Sequence, residues 1–143
     1  MKWIFDDGGR AEAGFKGYTG DCVCRAIAIA TGQPYKEVYK VINEFGKQEK
    51  LGKKKKHKSS ARTGVNKDVT KKIMREYYMW EWVPVMKVGS GCTMHMKSEE
   101  LPEGTIIVKL SGHVACVKDG VLHDTYDCSR DGTRCVYGYW KRP

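Results

Sequence analysis

Cys22, His113 and Asp124 are three side chains whose types and order suit nucleophilic chemistry. In such a set a thiolate attacks an acyl carbon, an imidazole takes and returns the proton, and a carboxylate holds the imidazole in one tautomer. Cys22 stands in the first turn of a run, about residues 21–31, that reads as a buried helix, because Ala, Ile and Val occur on every face. Thr19 or Asp21 can cap its first N–H groups, and Gly32 stops it. The helix dipole and the free N–H groups favour thiolate over thiol at that position. The same groups can stabilise an oxyanion forming beside the sulfur. The plainer reading makes Cys22 and Cys24 small apolar residues of a core helix, since free cysteine is among the most buried residue types. Cys24 lies about 200° round the helix from Cys22. The two cannot face one cleft, and geometry alone leaves the choice open.

The elements that must bring a base and an acid to the thiol lie near the other end of the chain. Ser111 to Asp127 reads as a β-hairpin turning at Asp119-Gly120, with β-branched residues on both sides. With those two residues in the turn, Lys118 faces Val121, and counting outward sets His113 opposite Tyr126. Asp124 then shares a face with His113, one diagonal step away, at a Cβ separation of roughly 7–8 Å. His123 and Asp127 fall on the opposite face and rank second as base and acid. His57 and His95 have no partner legible in the sequence. A metal site built from Cys92 and His95 lacks two further ligands at matching spacing, so no metal or other cofactor is expected.

A cysteine opening a buried helix, a histidine opening a strand and an aspartate ending the next resemble the papain-like cysteine peptidases. The nearest type is the bacterial double-glycine leader-peptidase kind. That resemblance implies Cys22 as nucleophile, His113 as general base and Asp124 as orienter. The segments Gly20-Asp21-Cys22, Ser60-Ala61-Arg62-Thr63-Gly64-Val65 and His123-Asp124-Thr125 also resemble uncharacterised bacterial and phage proteins, which imply no activity. Papain-like enzymes usually carry a Gln shortly before the nucleophile. Here Lys16, Gly17, Tyr18 and Thr19 stand there, so the oxyanion site must use backbone N–H groups, Thr19 or Asp21.

The 143 residues, 41% hydrophobic and 30% charged, fit one domain, 1–143, with a real core. The expected architecture is α+β and papain-like: three helices, then about five mostly antiparallel strands. Residues 1–18 read as an extended opening segment with Trp3 and Phe5 as core anchors. A second helix runs to about Phe45, with Tyr35, Val38, Tyr39, Ile42 and Phe45 on one stripe; a third, capped by Asn66, runs to about Tyr78 on a seam of Val69, Ile73 and Tyr77. Trp80 to Val85 reads as a strand that Pro84 confines to an edge or bulge. A short strand after Gly89, a buried strand at Thr105–Leu110 and a closing strand at Cys135–Trp140 complete the sheet.

Lys47 to Arg62 holds eight basic residues against Glu49 alone, +7 of the formal charge of +9, so the rest of the chain is near balance. Residues 46–63 therefore read as a mobile basic loop. Lys53, Lys54, Lys55, Lys56 and Lys58 there are candidate contacts to a polyanion or an acidic partner. No signal peptide or membrane span can be drawn. The six cysteines lack a framework spacing, which points to a reducing cytosol, with a Cys128–Cys135 disulfide as the minority reading; the resemblance to bacterial and phage proteins implies a bacterial or phage-infected cell. The leading function is a cysteine hydrolase of peptide or isopeptide bonds, with transamidation or deamidation using the same residues. The alternatives are a catalytically silent papain-like binding protein of phage type, serving host takeover or anti-defence, and a basic-loop nucleic-acid binder.

Overall fold

Alternation along the two central strands decides what covers the sheet. In the computed structural model, which describes residues 1–53 and 55–143, strand β3 (Thr105–Leu110) pairs antiparallel with β4 (His113–Lys118). Ile107, Val114 and Cys116 point to one face, and Ile106, Val108, Leu110, Ala115 and Val117 to the other. Both faces are apolar, so both must be covered. Helix α1 (Cys22–Thr31) lies on the first face together with α2 (Tyr35–Lys47) and α3 (Lys67–Ile73). The second face is covered by Met96, Leu101, Cys128 and Val136, from loops and irregular segments. Each fully buried Ile, Leu or Val contributes on the order of 1.5–3 kcal/mol through removal from water.

The described residues form an α+β domain with three α-helices and one six-stranded mixed sheet. The other strands are β1 (Trp3–Phe5), β2 (Glu81–Pro84), β5 (Val121–Asp124) and β6 (Gly138–Lys141), in the order β1-β5-β4-β3-β6-β2. Lys118 faces Val121 across the Asp119-Gly120 turn, as the sequence requires. Pro84 ends the edge strand β2, where its missing N–H costs no ladder bond. Gly138 permits the β6–β2 contact: a Cβ there would collide with the Trp82 indole, which packs on Trp140 at a centroid distance of 4.5 Å.

Four expectations change. Trp3 and Phe5 are not core anchors; they sit on the exposed edge strand β1, which pairs parallel with β5. That pairing adds a sixth strand and a parallel pair. The stretch after Gly89 forms only a single bridge, His95 to Cys135, and not a strand. The third helix converts to a π-turn at Met74–Tyr78, so the buried seam runs through Met74, and Tyr77 turns outward.

The basic segment is the largest departure. Glu49 is buried and gathers it: the Ser59 N–H (2.6 Å), Asn66 Nδ2 (2.7 Å) and Lys55 Nζ (2.9 Å) all approach its carboxylate. Burial alone would raise the Glu49 pKa; the Ser59 N–H, the Lys55 ammonium and Asn66 together bring it down to about 2. Asn66 thus serves Glu49 and makes no side-chain cap on α3. Ser59 and Ala61 are buried, and the Ala61 N–H reaches Asn43 Oδ1 at 2.9 Å. The far end of the segment is therefore anchored and not a free loop. A charge count missed this because one buried acid reverses the energetics locally. Lys55 is taken up by Glu49 and Asp68, whereas Lys53, Lys56 and Lys58 are exposed. The candidate Lys54 lies outside the described residues.

Cys92 is disulfide-bonded to Cys135, with Cα atoms 5.9 Å apart, while Cys22, Cys24, Cys116 and Cys128 are free thiols. The pairing differs from the Cys128–Cys135 bridge that the spacing suggested, and it removes Cys92 as a metal ligand beside His95. Among the described residues, no helix is long and apolar enough to cross a membrane.

Candidate active site

Gly32 adopts the left-handed conformation that ends α1, and its N–H returns to the Ala28 carbonyl at 2.9 Å. At the other end Asp21 occupies the capping position, but its carboxylate makes no cap bond. It is buried and accepts instead from the Arg25 guanidinium and from the Tyr35 hydroxyl (2.6 Å). The N–H groups of Cys22 and Val23 precede the first i→i−4 bond of the helix, which Arg25 makes to Asp21. Cys22 is half-buried and lines a cavity of about 760 Å³. Cys24 is fully buried, its Sγ 3.8 Å from the Tyr35 carbonyl, and burial pushes its pKa up to about 12. The helix leaves one of its two thiols facing the cavity, and it is Cys22.

His113 opens β4 and Asp124 ends β5, and both are buried. His113 Nε2 donates to Asp124 Oδ2 at 2.7 Å. With Nε2 held, Nδ1 is the ring nitrogen left to exchange a proton with a thiol. The Tyr126 ring packs on the imidazole at 5.4 Å, although the β4–β5 ladder stops before that pair. Two contacts fix the Asp124 backbone from the first strand: Phe5 pairs with it in register, and the Trp3 indole Nε1 donates to its carbonyl at 3.0 Å. So the first residues of the chain, exposed as they are, position the acid.

Burial pulls the His113 pKa down, but Asp124, Cys128 and Cys22 outweigh it and hold it well above its ordinary value. Burial likewise raises the Cys22 pKa, yet the His113 imidazole and its charge, the Val114 N–H and Arg25 bring it below the usual thiol range. The two shifts run in opposite directions, the thiol down and the imidazole up, each favouring the charge of the other. Asp124 is held below the usual carboxylate range: burial opposes ionisation, and His113, the Thr125 N–H and Arg25 overcome it.

Two further residues join the site: Arg25, which the sequence does not single out, and Cys128, which it assigns only to a disulfide. Arg25 Nη2 lies 3.2 Å from Asp124 Oδ1 while Nη1 holds Asp21. It is the sole charged residue in α1, and that placement was the available signal. Cys128 brings its sulfur to within 4.8 Å of ligand atoms of both His113 and Asp124. That trio is the one grouping among the described residues that could hold a metal ion. Asp124, however, is already engaged by a guanidinium and an imidazole.

The other candidates separate cleanly. His123 faces Asp6 (3.6 Å) and His95 faces Glu100 (3.1 Å), each away from Cys22. Asp127 accepts from the Ser129 hydroxyl and N–H. Of the side chains considered for the oxyanion, Thr19 donates its hydroxyl to the Arg62 carbonyl at 3.0 Å, and Asp21 offers only acceptors, already used. The Gly20 N–H also goes to Arg62 O, at 2.7 Å. A Cβ on Gly20 would lie 3.1 Å from the Thr63 carbonyl, so the segment Ser60 to Val65 closes tightly over the loop before Cys22. The donors left for an oxyanion are the N–H groups opening α1. The chain matches no protein-family model, no curated protein and no solved structure.

Proposed function

We propose that this chain is a cysteine-nucleophile hydrolase of the papain-like kind, acting on an acyl bond of a peptide or protein. The observation that carries the reading is the bond from His113 Nε2 to Asp124 Oδ2, on a ring whose charge favours the Cys22 thiolate. The Cys22 sulfur attacks the acyl carbon, and the developing oxyanion takes the N–H groups at the start of α1. As the C–N bond breaks, the imidazolium gives its proton to the departing amine. Water, deprotonated by His113, then attacks the thioester; the C–S bond breaks, releasing a carboxylic acid and restoring the thiolate–imidazolium pair. Asp124 stays ionised throughout and keeps the ring oriented.

The test is acylation by p-nitrophenyl acetate followed by peptide mapping. A burst of nitrophenolate with one acetyl group on Cys22, lost in His113→Ala, is the expected result. Acetylation elsewhere with Cys22 untouched overturns the assignment and favours a silent binding protein on the same scaffold.

A further inference from the structure

The cavity in front of Cys22 is strongly asymmetric in charge. Lys67 and Lys71 enter it from exposed positions one turn apart on α3, and Lys109 enters from β3. Like charges four residues apart on a helix repel and cost stability in isolation. Among the described residues, none of the three lysines is in an ion pair with an acid. Asp68, beside Lys67, is drawn instead to Lys55. The cavity's one acidic lining residue, Asp21, is buried and occupied by Arg25 and Tyr35.

Lys109 is the sharpest case. It is the sole charged residue of β3, half-buried, with its Nζ on the Leu110 carbonyl at 3.0 Å. Burial, Lys67 and Arg134 all work against its charge, and the Cys22 thiolate favours it. An anion bound beside it would relieve that repulsion. Beside the lysines the lining is apolar and aromatic, with Trp82, Pro84, Met86 and Tyr137; the Tyr137 N–H bonds the Lys109 carbonyl at 2.9 Å, and the Lys71 ammonium lies 4.9 Å over the Trp82 ring.

We infer that the cleft selects peptide segments carrying carboxylates beside the scissile acyl group, seated by Lys67, Lys71 and Lys109, with an apolar side chain against Trp82. This rests on the Cys22 reading above. A nucleic acid would meet the same cations but offers no acyl carbon to the thiol, so the peptide is the occupant the site favours.

The probes are iodoacetate and iodoacetamide, which differ chiefly in charge, with the alkylation rate of Cys22 read by peptide mapping. The ratio of the two rates cancels any change in thiolate content. We expect the iodoacetate-to-iodoacetamide ratio to exceed that of free cysteine. It should fall about threefold to tenfold in the exposed double variant Lys67→Gln/Lys71→Gln and again in Lys109→Gln, and fall with added salt. The peptide acetyl-Trp-Glu-Glu-Ala-amide should slow iodoacetamide at Cys22 more than its Gln-Gln counterpart does. A ratio equal to that of free cysteine and unmoved in the surface double variant overturns the anion preference while Cys22 remains a nucleophile. Protection by a single-stranded oligonucleotide and not by the acidic peptide overturns the peptide assignment. Failure of Cys22 to react with iodoacetamide at all overturns the underlying reading instead.

Discussion

Arg25 Nη2 lies 3.2 Å from Asp124 Oδ1, so the carboxylate that accepts from His113 is itself held from the helix that carries Cys22. The same guanidinium holds Asp21 at the helix start. Helix, hairpin and site are thus joined through one buried cation. Arg25→Met leaves two buried carboxylates short of a partner and should cost about 3–5 kcal/mol of stability. Arg25→Lys should recover only part of it, because an ammonium cannot repeat the forked geometry. Urea unfolding of both variants checks this; a loss under about 1 kcal/mol for Arg25→Met would show that the bridge contributes little.

Asp124→Asn removes the main influence holding the His113 pKa up, leaving burial to pull it down. Ring-nitrogen NMR should find His113 protonated through neutral pH in the parent and titrating markedly lower in the variant. The sign for stability follows. The raised His113 contributes fully below its ordinary pKa of 6.5 and loses that contribution as pH climbs through the folded value. The lowered Asp124 contributes fully above 3.8 and loses it as pH falls. The stability gap between parent and Asp124→Asn should therefore be widest between those two values and narrow on either side. A gap independent of pH would contradict the ion pair.

How much of this was open to reading from sequence follows the range of the forces involved. The α1 helix, its glycine stop and the Asp119-Gly120 register rest on local periodicity and turn chemistry, and from that register His113 and Asp124 share a face. The parallel pairing of Phe5 with Asp124 joins residues at opposite ends of the chain, and a three-residue strand carries almost no pattern of its own. The insertion of β6 between β3 and β2 is equally long-range. The burial of Arg25 and Glu49 is not legible in the sequence for a related reason. A charge reads as solvent-seeking until its buried partners are known, and those partners come from other elements.

Glu49 gives that point a number. Glu49→Ala strands the Ser59 N–H and frees Lys55 and Asn66, which should cost about 1–3 kcal/mol. Because folding holds the Glu49 pKa near 2 against an ordinary 4.5, its contribution is present above pH 4.5 and lost as pH falls through the folded value. Amide exchange should show residues 59–66 opening in the variant. Unchanged protection there would restore the picture of an independent basic loop.

Cys92 and Cys135 should be found linked by mapping under non-reducing conditions, with Cys22, Cys24, Cys116 and Cys128 as thiols. Their bond spans 43 positions, and closing a loop of that length stabilises by about 4 kcal/mol on chain-entropy grounds. Cys92→Ser should lower the denaturant midpoint accordingly. Equal midpoints in oxidised parent and variant would show that the link does not support the fold.

The pairing of Cys22 with His113 is tested most directly by the pH profile of Cys22 alkylation by iodoacetamide, in the parent and in His113→Ala. The lowered thiol and raised imidazole predict that Cys22 reacts at lower pH than an ordinary thiol, ahead of the other free thiols. Substituting His113 should move the profile up to that of an ordinary thiol, near pH 8.5. A parent profile already at that ordinary value, unchanged when His113 is removed, would contradict the account.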